Sequence, residues 1–401
     1  MSTKNLSLSI KQSIHAPASE VFRAFTNSTA LREWMCDVAT TDPRPGGRIY
    51  LYWNSGNYDV GTFSKVVHDK EIEFTTSSNQ VPAPIITNVV LSSTGETTTL
   101  TLMQSGFPTG EHGEKTVEMM KKIWEKSLKN LISILEEGPD LRITTRPMMG
   151  IYLDSFNEKI AKELGVPVKT GTRVNTIVEG FGAQKAGLQK DDIIVDLAGV
   201  PQVEFTDYLT AMQGKVGGDV IKVVFYRGAE KKTVDMELSK RKTPEVPPTA
   251  IELAEKIQAA QLAVDKELDA VILSASEEAA SHRPSEKEWN AKEILAHLLH
   301  YERYLQGWIV ELYFSQESVA DGFGDNLNAR VESTVAVYGT LKNVYEEFER
   351  NQAEIVELVK RLPDDFVKRK STWWRMGFNL LSYCDHTREH INQIKAALSA
   401  G

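Results

Sequence analysis

At 401 residues, with 41% hydrophobic and 25% charged side chains, the chain has the composition of a multi-domain globular protein. A formal net charge of −9 argues against nucleic acid as the main partner, because a phosphate backbone needs a basic face. Two cysteines, Cys36 and Cys384, exclude a disulfide scaffold and fit a reducing compartment.

The first residues lack the apolar core of a signal peptide, and no run approaches the ~18 consecutive apolar residues of a membrane span. The expectation is a cytoplasmic protein with no membrane partner. Two breaks divide the chain. Glu137-Gly-Pro-Asp140 ends a helical run, and the charged, proline-rich stretch 240–248 reads as an extended linker. The expected domains are about 1–140, 141–240 and 245–401.

The first part opens with a strand over 6–14 and a helix begun at Pro17, proline being favourable at a first helical position. Strand-like runs follow at 48–53, 61–67, 71–76, 88–92 and 97–104, with Pro45-Gly46-Gly47 as a turn. A long helix over 114–136 closes it, with Ile123, Leu128, Leu131, Ile132 and Leu135 near helical period. This order, together with His15-Ala-Pro-Ala-Ser-Glu-Val-Phe22, Leu31-Arg-Glu-Trp34, Thr98-Thr-Leu-Thr-Leu102, Ser105-Gly-Phe-Pro108 and Trp124, resembles the Hsp90-ATPase-activator-like branch of the START-related (SRPBCC) helix-grip fold. The resemblance implies a cavity between the long helix and a curved sheet, lined by Trp34, Trp53 and Trp124, able to take a small apolar molecule. Core packing is the competing reading of the same three tryptophans.

In the second part the marks are Met148-Met149-Gly150-Ile151, Gly171-Thr-Arg-Val174, Ala186-Gly-Leu188, Asp191-Asp-Ile-Ile194, Ala198-Gly199 and Gly217-Gly-Asp219. They resemble a bacterial-type PDZ domain, a small β-sandwich or barrel. The resemblance implies that a peptide or protein C-terminus adds to an edge strand while backbone N–H groups of Met148, Met149, Gly150 and Ile151 hold its carboxylate. Phe205, Leu209 and Met212 would face it from a helix over 205–212. Asp191 stands where the family places a glycine, and aspartate tolerates the left-handed conformation needed there. A rigid packing module is the alternative.

The third part is helical, with helices expected at 249–274, 290–315, 327–361 and 373–398, the second opened by capping-box spacing at Asn290-Ala-Lys-Glu293. This is four-helix bundle material. His386 and His390 are four residues apart and share a helix face, and His297 lies in an earlier helix. Three imidazoles leaving an open position are the pattern of a catalytic metal site. His300 reads as a surface neighbour and Cys384 as packing. Trp289-Asn-Ala-Lys-Glu293, Ala296-His-Leu-Leu-His300-Tyr-Glu302 and His386-Thr-Arg-Glu-His390-Ile-Asn-Gln-Ile394 resemble the DinB-like bundle family. That resemblance implies a divalent metal site at His297, His386 and His390, suited to Zn, Ni or Fe, and often a homodimer.

The overall expectation is a multi-domain α+β chain. Its first functional reading is a binding protein with a three-histidine metal site, an apolar cavity and a peptide groove. The alternatives are a metal-dependent thiol (S-)transferase acting on an electrophilic small molecule, and a PDZ-based adaptor.

Overall fold

A computed structural model describes residues 6–81, 83–286, 288–318 and 328–400. The chain forms two compact units. One is built from Met1–Asp140 together with Pro244–Gly401, the other from Leu141–Thr243. No helix among the described residues is long and apolar enough to cross a membrane.

The N-terminal region of the first unit runs β1 (Leu8–Ile14), α1 (Ala18–Thr26), α2 (Ser28–Trp34), β2 (Val38–Thr41), β3 (Arg48–Tyr52), β4 (Tyr58–Val67), β5 (Glu71–Ser78), β6 (Ile85–Thr94), β7 (Thr97–Ser105) and α3 (Glu111–Glu136). The strands form one antiparallel sheet in the order β1-β7-β6-β5-β4-β3-β2. Ile72 and Phe74 in β5 and Leu100 and Leu102 in β7 are buried at every second position, the signature of a sheet with one covered face. From α3, Trp124, Leu128, Leu131, Ile134 and Leu135 join the same core. Pro17 is the N-cap of α1 rather than its first helical residue, and α2 and β2 add to the expected elements.

The second unit runs α4 (Leu141–Thr144), β8 (Pro147–Met148), β9 (Ile151–Asp154), α5 (Glu158–Leu164), β10 (Thr172–Ile177), α6 (Gly182–Lys185), β11 (Ile193–Leu197), β12 (Val200–Pro201), α7 (Phe205–Met212), β13 (Val220–Arg227), β14 (Glu230–Glu237) and β15 (Ser239–Lys240). Its main sheet has the order β14-β13-β11-β10-β9, with β12 against β11. Val174, Leu197, Val223, Phe225 and Met236 fill its core. Asp191 adopts φ +70°, as its place in the turn requires. Asp192, fully buried, accepts from Arg227 Nε and Nη2, each at 2.8 Å.

The C-terminal region of the first unit is α8 (Ala250–Ile272), α9 (Glu277–Ser281), α10 (Ala291–Tyr313), α11 (Asn328–Tyr338), α12 (Leu341–Lys360), α13 (Asp364–Val367) and α14 (Lys370–Ala400). The helix expected over 327–361 is broken at Gly339, which takes φ +75°, and Thr340, whose hydroxyl caps α12; residue 327 lies outside the described residues. Leucine, isoleucine and valine from α8, α10, α12 and α14 interdigitate in two apolar clusters.

Buried ionic contacts join the two regions of this unit. Glu33 of α2 is 3% exposed and accepts from Ser371 Oγ at 2.7 Å and Thr372 Oγ1 at 2.6 Å, both on α14. Glu317, just beyond α10, pairs with Arg32 of α2 at 2.9 Å and with Arg375 of α14 at 2.7 and 2.8 Å. Trp308 Nε1 donates to the same carboxylate at 2.8 Å. Removing one partner of a buried pair leaves charge without compensation, at ~3–5 kcal/mol. Glu317→Ala strands two guanidiniums at once, so its unfolding free energy, measured by urea titration, is expected to fall by an amount of that order, with Glu317→Gln less affected.

Candidate functional site

The histidine cluster is positioned by the start of α10. Asn290 Oδ1 accepts from Glu293 N at 2.9 Å, and Glu293 Oε2 accepts from Asn290 N at 2.9 Å, a reciprocal cap that Arg283 clamps through the Glu293 carboxylate. The cap fixes the helical phase, and one turn on it points His297 into the bundle, where it is 9% exposed. From α14, half-buried His386 and His390 meet it. One ring nitrogen from each of the three lies within 4.8 Å of the others, and the Nε2 atoms of His386 and His390 are 3.0 Å apart.

The surroundings keep the rings neutral. Burial, then the neighbouring His390 and His297, pulls His386 down to about 4, and burial likewise lowers His390. Neutral imidazole is the form that offers a lone pair to a metal. Gln393 Oε1 stands 2.8 Å from His390 Nδ1. If that nitrogen carries the proton, Nε2 is left free to face the cluster centre. Trp289 lies 5.4 Å from His297 and Tyr301 5.0 Å from His386, ring centre to ring centre, while Tyr383 stacks on Tyr301 at 4.9 Å. The donor set, its neutrality and its convergence fit a divalent ion.

Trp289, Tyr301 and Gln393 stand in the motifs that carry the DinB-like resemblance, but the sequence reading gave them no role at the site. Gln393 was findable, since position i+3 from His390 shares its helix face. His300 departs from its reading as a surface neighbour. It is 6% exposed and stands 3.0 Å from Thr334 Oγ1 and 3.2 Å from Arg330 O, turned away from the cluster toward α11. Asp385 is exposed and pairs with Arg388, and burial pushes the Cys384 thiol up to about 11.

Of the tryptophans, Trp34 and Trp124 are 1% and 3% exposed, with Phe25 at 5.1 Å from one and 6.5 Å from the other. Their donors differ in fate: Trp34 Nε1 bonds Ala24 O at 2.9 Å and half-buried Trp53 bonds Met35 O at 2.7 Å, whereas Trp124 Nε1 meets no hydrogen-bond partner among the described residues. In the second unit Met148 ends β8, Met149 is 2% exposed, Gly150 takes φ +77° and Ile151 begins β9. A side chain at Gly150 would also collide with Phe181, so only glycine suits the position. On α7, Leu209 is 48% exposed and Met212 packs against the core; the Phe205 side chain lies outside the described residues.

Comparison with known proteins assigns the two regions of the first unit. Residues 15–136 match the family model described as activator of Hsp90 ATPase homolog 1-like protein. Residues 260–394 match that of the DinB superfamily. The chain therefore contains an Hsp90-activator-like region and a DinB-like region. Two probable periplasmic DegP-like serine endoproteases from strains of Pseudomonas putida are each 26% identical over 94 residues, 23% of this chain. The chain spans only 20% of the length of these curated relatives. Among solved structures, the Aha1 dimer of Colwellia psychrerythraea is 17% identical with a TM-score of 0.30, covering 33% of this chain and 98% of that one. An HSP90 activator from Plasmodium falciparum is 23% identical with a TM-score of 0.29, covering 33% and 96%. A protein from Chromobacterium violaceum is 26% identical with a TM-score of 0.29, covering 34% and 100%.

His300 gives a pH test. Burial, then the nearby Arg330 charge, lowers it from 6.5 to about 4. Between these values the unfolded chain binds a proton that the folded chain refuses, so stability present above pH 6.5 is lost as pH falls toward 4. His300→Gln should flatten that part of the stability–pH profile, measured by chemical unfolding at fixed pH steps.

Proposed function

We propose that the chain is a three-module, metal-dependent binding protein, with an apolar-ligand module at 1–140, a PDZ-like peptide module at 141–240 and a metal-holding bundle at 245–401. The observation that carries this reading is the convergence of His297, His386 and His390 on one point. They would hold a divalent ion, with zinc, nickel and iron all compatible with imidazole donors. When bound, such an ion supplies Lewis acidity to a group in its open position. The chain's own contribution is orientation and shielding. Gln393 fixes His390, and the rings of Trp289, Tyr301 and Tyr383 keep water from the inner side of the cluster.

A metal-dependent thiol transferase is the second reading, supported by the number of protein donors. The cluster offers three, where a closed structural zinc site uses four. Cys384 is held as a buried neutral thiol and Cys36 is also buried, so the reacting thiol would arrive as a cosubstrate.

Two observations support the peptide reading. The two outer strands of the main sheet differ. β14 carries Glu230, Lys231, Lys232, Asp235 and Glu237, charges that discourage pairing, whereas β9 is Ile151-Tyr-Leu-Asp154. Gly150 immediately precedes β9 in the conformation an anion-holding loop needs.

Purified protein is expected to carry near-stoichiometric divalent metal by elemental mass spectrometry, and His390→Ala to lose it. Metal-free protein that stays so after incubation with zinc, nickel or ferrous iron would remove the metal readings. For the groove, a fluorescent peptide with an apolar C-terminal residue should bind, its amidated form should bind on the order of tenfold more weakly, and Leu209→Asp should abolish binding without changing the melting temperature.

A further inference from the structure

The middle unit is charged opposite to the chain as a whole. Residues 141–243 hold 16 lysines and arginines against 13 acids, a net +3 in a chain of net −9. Most of those acids are already engaged. Six pair with a lysine or arginine of the unit, and four accept from nearby backbone N–H groups.

The surplus of positive charge collects where three segments remote in sequence meet. Lys240 of β15 pairs with Pro147 of β8, next to Arg146. Gly217 N donates to Thr145 O at 3.3 Å. A Cβ on Gly217 would stand 2.7 Å from Lys240 Cα, so glycine is what lets this loop close on β15. Lys215 lies in the same loop, three residues past α7, its N–H donating to Met212 O at 3.1 Å. Segments 142–148, 213–219 and 237–243 together carry six lysines and arginines and two acids, Asp219 and Glu237. Asp219 accepts from Val216 N at 2.9 Å within its own turn. Arg146, Lys240 and Lys242 are exposed, Lys215 is half-buried, and none of the four forms an ion pair among the described residues. Arg241 stands between two of these lysines, and burial, then the Arg146 charge, lowers it. Like charges gathered in this way sum to a local positive field.

The collar adjoins the loop that the peptide reading needs. β8 ends at Met148, only Met149 and Gly150 separate it from β9, and Lys215 follows the end of α7, the other wall of the groove. We propose that Arg146, Lys215, Lys240 and Lys242 make the middle unit selective for protein C-termini that carry an acidic side chain beside the terminal carboxylate. The proposal rests on the peptide-groove reading and adds the charge of the partner to it. A strand added to β9 turns alternate side chains to opposite sides. The last side chain would enter the groove toward Leu209 and Met212, and the one before it would face solvent within the field of the collar. Exposed ion pairs contribute little singly, so the collar acts through its summed charge, which selects among partners more than it adds to affinity.

The test uses two fluorescent peptides, identical except that one ends in Asp-Leu and the other in Asn-Leu, titrated into the full chain and followed by anisotropy. The Asp peptide is expected to bind on the order of fivefold more tightly at low salt. That difference should vanish near ~1 M salt, where screening acts over ~3 Å. Lys240→Glu combined with Lys242→Glu should remove or invert the preference. Both lysines are exposed, so the double variant is expected to keep its melting temperature. Lys162→Glu, an equally exposed site on α5, should keep the preference and so separate the collar from net charge. Equal affinity for the two peptides, or a preference that survives the double substitution, would overturn the proposal and leave the groove standing. Binding of neither peptide would remove the groove and the proposal together. A short oligodeoxynucleotide that displaces the Asp peptide better than its unlabelled copy does would reassign the collar to nucleic acid.

Discussion

The first unit depends on one long helix being fixed at its start. α14 spans 31 residues, about 46 Å at the usual rise. Its first turns are held by Glu33 and Glu317 against the N-terminal region, through Ser371, Thr372 and Arg375. Its middle carries His386 and His390, the first of them about 16 Å beyond Arg375. Buried ion pairs contribute little net stability against a well-packed apolar alternative, because desolvation offsets most of the attraction. What they supply here is a single allowed register between two regions that are remote in sequence.

Most of the fold follows from patterns visible in the chain. Alternating burial produced the strands of the N-terminal sheet, and the 3.6-residue period of Leu128, Leu131 and Leu135 produced its closing helix. The broken helix is instructive. The apolar period passes through Gly339 without interruption, and only the positive φ there and the cap at Thr340 end one helix and begin another. The helical spacing of His386 and His390 was legible because it is local. The contact of Glu33 with Ser371 and Thr372 was not, since nothing within either segment marks the other. Glu302 was equally hidden. A glutamate in an amphipathic helix reads as a solvent-facing residue until the neighbouring helices enclose it.

The bundle interior contrasts two ways of burying polarity. The histidine cluster does so with groups that stay neutral, their protons excluded by burial and mutual repulsion. A second polar layer, around the enclosed Glu302, does so with acids that lack a positive counterpart among their strongest neighbours. The stacked pair Tyr301 and Tyr383 lies between them, with Tyr383 5.9 Å from His386 and itself acted on by Glu302. A change in charge at either layer is therefore felt across one aromatic contact by the other.

The middle unit is an insertion in sequence terms, because Leu141–Thr243 interrupts a unit whose two parts lie on either side. Glu33 and Ser371 are 338 positions apart. At ~5–20 residues per second, a ribosome needs on the order of half a minute to carry the chain from one to the other. Throughout that interval the docking face of α2 waits in solvent without its partner helix. It waits as a charged surface. Arg23 and Glu33, 3.6 Å apart in the finished fold, belong to the same early-synthesised region and can satisfy each other in the meantime. A face built of leucine would have spent the same time as a sticky patch, so the ionic character of this junction protects the nascent chain from aggregation before it holds the mature one together.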